Sequence, residues 1–568
     1  MLNIYKNDVE KIKTICRLII INILVLLVSI ILFEPTMKSD DYDLAMVAYG
    51  AIDGNYSSIL MYCSVFFSWF LKGLIKLVPF VAWYSVINYF VIFVSITIIS
   101  IVLYQLSRED SYIIIISLLS FMAYELYIRM TFTKTAGVVI TAGLILFLYL
   151  IEQSINNIVL WGFAIVWILF GYSIRASVLK VILLVFFSAF IINLLDKDIE
   201  HRNKIIISIK LATVVIALLV MGAGISTVDK CIRQSDSTWE KYYVNNSARA
   251  ELQDYYMPEY SSYPKEYSNI GISENDYIAY KEWAIYTDYD FFSPEKLKEI
   301  ARIGRTNQSI RELFKGIIKR LLSYYFSETG FYIEILMGLL LAVATEIKRR
   351  KKILIISSIV ILNIVIYILM ALWGRLQHHV DVSVMIASAT IIGYYYSKYN
   401  CKINKKTIVF NLLIALLFGV RFYSSINKAS YYGFDISNQK SFYSKNRKIM
   451  DVLSADKEHV YVFCALTTTE LYDSVFEPFS LIPKGYYSNL AMTNKYFIPT
   501  WDSIGKEYEI KNYYKEATNS KLIYFVCLDS NTEWIEVLQA YINEHYCEKS
   551  KYELVSKIDS VNIYRFVD

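Results

Sequence analysis

Charge is scarce in this sequence for its length. Asp, Glu, Lys and Arg together make up 19% of its 568 residues, against about 25% in an ordinary soluble chain. The deficit sits in blocks of roughly 20 apolar residues, the length that crosses about 30 Å of hydrocarbon. That excludes the string of soluble domains, about 100–200 residues each, that the length alone would suggest. The seven cysteines are scattered singly with no C-x-x-C pair, which excludes a disulfide framework and a zinc site built on such pairs. Cys16 and Cys63 fall in or beside apolar segments, and Cys464 and Cys527 in strand-like runs, so all four are read as buried thiols. No glycine-rich phosphate loop follows a strand, so no soluble nucleotide-sugar site of that kind is expected. The net charge of +5 is diffuse and collects in short loops, which argues against nucleic acid as a partner. There is no internal repeat and no low-complexity tract.

What is present is the pattern of a multi-spanning α-helical membrane protein with a soluble α/β region at its C-terminal end. Lys6, Lys11, Lys13 and Arg17 precede an apolar run ending near Phe33. No A-x-A-like site follows, so the run is predicted to stay as a first span. Further spans are predicted at about 82–105, 111–128, 133–152, 158–172, 177–195, 205–227, 331–346, 353–372, 380–397 and 407–424, eleven in all. Residues 59–80 are also apolar, but Lys72 and Lys76 stand one above the other on a helical face. If this segment lies in the interface, the loops Lys197–Lys210, Lys348–Lys352 and Lys398–Lys406 share the side of the basic N-terminus. If it crosses, all three land outside, against the positive-inside rule. An interfacial amphipathic helix is therefore predicted.

This topology places the N-terminus in the cytoplasm of a multi-pass protein of the cell membrane. A transmembrane domain covers 1–424, with outer loops at 34–81 and 229–330, and an extracytoplasmic α/β domain covers 425–568. In the C-terminal domain, β-rich runs at Val460–Cys464, Leu522–Cys527 and Val561–Phe566 alternate with a helical stretch at Thr532–Asn543. In the long loop, Ser293-Pro294-Glu295 predicts a helix start, a capping hydroxyl before a proline in the first turn.

The centres of the predicted spans carry little charge, which argues against a proton relay and for a site at the outer surface. Asp40, Asp41 and Asp43 follow the first span directly. Carboxylates so close together repel unless they share a proton, which suits a general base, or a cation; a solvated acidic loop is the plainer alternative. Cations collect where outer connections should lack them: Arg129, Lys134, Arg175 and Arg375. Near one lipid–water boundary they suit the phosphates of a lipid-linked substrate, although Glu125 and Arg129, four apart, could pair locally. His378 and His379 lie beside Asp381, but adjacent helical positions point about 100° apart, so phosphate or hydrogen-bond contacts are expected there and no metal is assigned. The long outer loop is dense in Tyr and Trp from Trp239 to Tyr289, suiting either sugar-ring faces or an amphipathic lid on headgroups. Within it Asn246, Arg249 and Asp254 add polar groups.

Several of these features together resemble the GT-C superfamily of integral membrane glycosyltransferases. They are a first helix followed at once by the outer Asp40-Asp41, an interfacial helix in the first outer loop, many spans and a large outer C-terminal domain. Within that superfamily Asp40-Asp41-Tyr42, Gly50 and Gly54, Pro79, Trp83-Tyr84, the run from Trp239 through Arg249 and Asp254, and Gly271 to Tyr277 look like bacterial proteins of surface-polysaccharide glucosylation and O-antigen modification. The resemblance implies a sugar moved from a polyprenyl-phosphate carrier to a glycan or lipid acceptor on the outer face. It implies Asp40 and Asp41 as catalytic carboxylates. Asp43, Arg129, Lys134, Arg175, Arg249, Arg375, His378 and His379 are the expected substrate contacts. A divalent cation is compatible but not required, and membrane lipids are the other partner. The alternatives are a lipid-linked sugar transporter or flippase, a glycan polymerase or ligase, and a non-enzymatic sensor.

Overall fold

The apolar runs fold as helices packed around one central member. The computed structural model describes residues 2–32, 35–37, 39–108, 111–255, 257–282, 288–303, 314–319, 348–372, 377–399, 439–464, 479–492 and 502–568. The spans expected at 331–346 and 407–424, and Arg375, lie outside the described residues.

Helices α1 (Leu2–Leu32), α2 (Ser39–Tyr49), α3 (Val65–Leu77), α4 (Trp83–Ser107) and α5 (Ser111–Ala123) come first. α6 (Phe132–Glu152), α7 (Ile158–Ile174), α8 (Ala176–Leu195) and α9 (His201–Gln234) follow. Among the described residues six helices are long and apolar enough to cross a membrane: α1 over Ile12–Ile31, α4, α6, α8, α9 and a later helix, Arg349–Leu372. The apolar segments Ile114–Ile128 and Ile158–Ile174 are shorter. α6 is the centre of the bundle, buried along nearly its whole length against α4, α7 and a helix at His378–Lys398. Small residues permit the close approach: a side-chain carbon at Gly143 would lie 2.4 Å from Ile168 of α7. Polar side chains also join helices, as where Asn22 donates to Thr97 (2.9 Å) and accepts from Tyr127 (2.8 Å).

The predicted interfacial segment forms α3, thirteen residues long. At about 1.5 Å per residue it is too short for a 30 Å core. It buries Phe67, Leu71 and Ile75 on the bundle and exposes Phe66, Trp69 and Phe70.

Charge sorts the two ends of the bundle. At one end Lys351 pairs with Asp196 (3.3 Å) and Asp198 (2.9 Å), and Lys398 with Glu152 (2.9 Å). These pairs bring the chain around Asp196–Asp198 to Lys351, and Lys398 to the end of α6. The opposite end carries α2, α3, the α5–α6 and α7–α8 turns and the tip of α9. There the backbone of Ser64 bonds that of Ser173 (2.8 Å), and Asp229 caps α3 through Ser64 (2.8 Å) and the Val65 amide (2.9 Å).

Beyond α9 come α10 (Ser237–Ala250), α11 (Pro264–Asn269), α12 (Glu274–Lys281) and α13 (Pro294–Arg302). α13 starts as expected, with the Ser293 hydroxyl accepting from the Lys296 amide. α14 (Arg349–Leu372) and α15 (His378–Lys398) return to the bundle. The C-terminal region places α16 (Gln439–Ala455), α17 (Asp502–Glu507) and α18 (Glu533–His545) with a five-stranded sheet. Its strands are β3 (Val460–Phe463), β4 (Leu490–Met492), β5 (Ile523–Leu528), β6 (Lys551–Ile558) and β7 (Val561–Val567), in the order β4-β3-β5-β7-β6. β4, β3 and β5 run parallel, while β7 and β6 add as an antiparallel meander.

This small α/β unit sits on the chain after α2 and on the long loop after α9. The amide of Gly485 donates to Gly50 (3.0 Å) and that of Tyr487 to Ala51 (2.7 Å). Gly50 has φ +67°, and a side-chain carbon there would lie 2.6 Å from the Asn55 backbone, so only glycine fits this turn. A second seam joins the long loop: buried Asp288 accepts from Tyr541 (2.8 Å), Tyr546 (2.6 Å) and Asn512 (3.0 Å). Burial, with the Asp288 carboxylate beside them, pushes both phenols well above the ordinary tyrosine range, so they remain donors.

Candidate functional site

Two local pairings build the site at the end of the bundle opposite the basic loops. Strands β1 (Thr36–Met37) and β2 (Arg129–Met130) pair in parallel, Thr36 with Arg129 and Met37 with Met130. This ties the chain just before α2 to the turn between α5 and α6. The acidic run is not a solvated loop: Asp40 and Asp41 form the first turn of α2, where carboxylates favour the helix dipole. Asp41 is fully buried and accepts from the Tyr84 hydroxyl (2.8 Å) and the Phe132 amide (2.7 Å), one of the free N–H groups at the start of α6. Asp43 is buried as well, and Asp40 is half-buried.

Arg175 occupies the break between α7 and α8. Its guanidinium lies 4.7 Å from the Tyr62 ring and 5.2 Å from the Phe132 ring. Phe132 thus joins the two charges, with Asp41 on its amide and Arg175 over its ring. Arg233, in the last turn of α9, lies 4.6 Å from the Tyr243 ring and donates to the Cys63 carbonyl. Its Nε is buried with no acceptor among the described residues, and no carboxylate lies within ion-pair distance of either arginine among those residues. Tyr62 holds the left-handed conformation, φ +64°, a strain of about 1–2 kcal/mol for a side chain of this size.

The Cys63 thiol sits among these groups. Burial pushes it up to about 12; Arg175 and Arg233 oppose the shift, and Asp41 and Asp229 add to it. At pH 8 about one thiol in 10⁴ would be ionised, because the thiolate fraction falls tenfold per unit below the pKa. Because Cys63, Cys464 and Cys527 are buried out of reach of reagent, they are expected to resist maleimide at pH 8 until the protein is denatured, while exposed Cys231 is labelled in the native state. Mass spectrometry of the alkylated peptides checks this, and native labelling of Cys63 would contradict the packing described. Cys16 departs from the expectation of burial: it is exposed on α1, because the apolar run around it faces away from the bundle. Between α3 and the tip of α9, Ser58, Ile59, Trp69, Ile232, Ser235 and Asp236 help line an open cavity of about 540 Å³.

The other expected contacts are placed differently. Lys134 is buried, and its three N–H groups face protein acceptors: the Glu125 carboxylate (2.5 Å), the Arg129 carbonyl (2.8 Å) and the Glu125 carbonyl (3.4 Å). Glu125 also meets His378 Nε2 at 3.3 Å, so its partners are Lys134 and His378 and not Arg129 as the four-residue spacing suggests. The cause is the π-helical turn at Tyr124–Ile128, which breaks the regular i, i+4 register. Arg129 instead lies 5.4 Å from the Tyr124 ring. Arg249 is fully buried and grips Asp254 with two bonds (3.1 and 3.0 Å), its Nε bonding Asn246 (3.0 Å). His379 is half-buried at the start of α15, and Asp381 receives the Tyr367 hydroxyl.

Of the sequence candidates, the structure brings Asp41 and Arg175 together. Arg233, Tyr62, Tyr243 and Asp229 join them unanticipated. Arg233 is likewise a cation at the end of a long apolar helix. It was hidden because the apolar run stops near residue 227, while α9 continues to Gln234. No protein-family model matches the chain, and neither a characterised protein nor a solved structure is detectably similar to it.

Proposed function

We propose that the chain is a GT-C-like glycosyltransferase of the cell membrane. In this reading it crosses about eleven times, with a cytoplasmic N-terminus and the C-terminal domain outside. It transfers a sugar from a polyprenyl-phosphate carrier to a glycan or lipid acceptor. The observation that carries the proposal is the pair Arg175 and Arg233. Two guanidiniums are held over aromatic rings without a carboxylate within ion-pair distance among the described residues, and Phe132, under Arg175, gives its amide to Asp41 of α2. Cations so placed suit an anion that arrives from elsewhere.

The chemistry follows from the charge. As the bond from the anomeric carbon to the phosphate oxygen breaks, the electron pair stays with the phosphate. Arginines fixed at that spot stabilise the leaving group more in the transition state than in the ground state. The attacking hydroxyl loses its proton to a carboxylate within hydrogen-bond reach. Asp40, half-buried in the first turn of α2, takes this role; Asp41, tied to Tyr84 and Phe132, positions it. The carrier's tail stays in lipid, which explains a site built at the end of apolar helices.

Deletion of this chain from its host is expected to remove one sugar substituent from an envelope glycan or lipid. The wild-type chain should restore it, and a chain with both Arg175→Ala and Arg233→Ala should not. Composition and linkage analysis of the envelope reads the result, and an unchanged envelope chemistry would sink the proposal.

A further inference from the structure

The seam between the long outer loop and the C-terminal domain holds a cluster unrelated to the arginine site. Asp276, in the first turn of α12, is fully buried, and its Oδ1 lies 2.7 Å from Nε2 of His545 at the end of α18. Glu544 Oε2 is 3.8 Å from the same nitrogen. One ligand atom from each of the three lies within 4.8 Å of the others. Both carboxylates are already oriented: the Ser273 amide donates to Asp276 Oδ2 (2.8 Å), and the Ser273 hydroxyl donates to Glu544 (2.7 Å). The His545 ring is held by Phe291 (centroids 4.0 Å apart) and Tyr541 (4.8 Å). The neighbouring cation, Lys296, lies over the Phe291 ring at 3.7 Å.

We propose that Asp276, Glu544 and His545 bind a divalent metal ion of the zinc class, clamping α12 to α18. Two carboxylates and a neutral imidazole bring about two negative charges, matched to a divalent ion, and one nitrogen with two oxygens is a donor set zinc accepts. Ligand atoms about 2.0–2.2 Å from a tetrahedral zinc stand roughly 3.4 Å apart. The observed 2.7 and 3.8 Å bracket that spacing, so small side-chain rotations suffice. The serine bonds to both carboxylates are the outer-layer support that ligands of a bound metal characteristically have. Because the ligands come from chain segments far apart in sequence, the ion would cross-link the aromatic-rich loop to the C-terminal domain. Binding would therefore add to the stability of the docked form.

The test needs no knowledge of any substrate. The full-length chain, purified in detergent and stripped with a chelator, is titrated with zinc chloride against a fluorescent zinc indicator. One ion per chain is expected at micromolar or lower zinc, together with a rise in thermal stability. Glu544→Gln retains a side-chain oxygen for Ser273 on a partly exposed residue, so this variant should fold; His545→Ala removes the nitrogen. Each is expected to weaken zinc binding by about tenfold or more and to abolish the thermal shift. Wild-type affinity in either variant, or no binding by the unaltered chain, overturns the proposal.

Discussion

Asp40→Asn is expected to slow the proposed sugar transfer by about 10²–10⁴-fold, the usual contribution of a positioned general base, with expression and membrane insertion unchanged. Asn keeps the size and an acceptor oxygen but cannot take the proton. Asp41→Asn should also fail, for a different reason. Its carboxylate is fully buried between the Tyr84 hydroxyl and the Phe132 amide, which ties α2 to the starts of α4 and α6. Hydrogen bonds to a charged group are worth about 1.5–3 kcal/mol each, so this variant should lose both folded yield and transfer. Size-exclusion profiles in detergent, measured beside initial transfer rates, separate the two cases. Full transfer by the double variant Asp40→Asn, Asp41→Asn would remove both carboxylates from the mechanism.

The arginine pair carries the second large effect. Arg175→Ala or Arg233→Ala should each cost about 10–100-fold in kcat/KM for the proposed lipid-linked donor, the equivalent of about one charge-assisted bond. The apparent KM of the acceptor should stay near its wild-type value. Arg175→Lys should restore little, because an ammonium neither stacks on the Tyr62 and Phe132 rings as a planar guanidinium does nor offers two parallel donors. Arg249→Ala is the informative contrast. Its guanidinium is buried and bonded to Asp254 and Asn246, so the loss should appear as destabilisation of the outer loop. If it proved more harmful to donor use than Arg175→Ala, the phosphate assignment would be wrong.

The spans legible in the sequence are those with uninterrupted apolar runs, and α1, α4, α6, α8 and α9 appear close to the residues hydropathy marks. Cap chemistry was equally local, so Ser293-Pro294 started α13 where expected. The β-rich runs became β3, β5 and β7, but β4 and β6 passed unnoticed. β4 is only three residues long, and β6, on the sheet edge, is mostly exposed and polar.

The site was legible only in outline. Composition showed that acids follow the first span and that cations crowd the outer connections. It could not tell a cation held by a carboxylate from one left over aromatic rings. Lys134 and Arg249 look no different in sequence from Arg175, yet two are neutralised by Glu125 and Asp254 and the third is not. The sequence by itself determined that long apolar helices are made and that charge is pushed to their ends, because burial of apolar surface and the cost of charge in hydrocarbon act on each segment alone. Which charges meet was decided only in the tertiary structure. A Coulomb partner is chosen by distance across helices, and that distance is set by side-chain packing between segments remote in the chain.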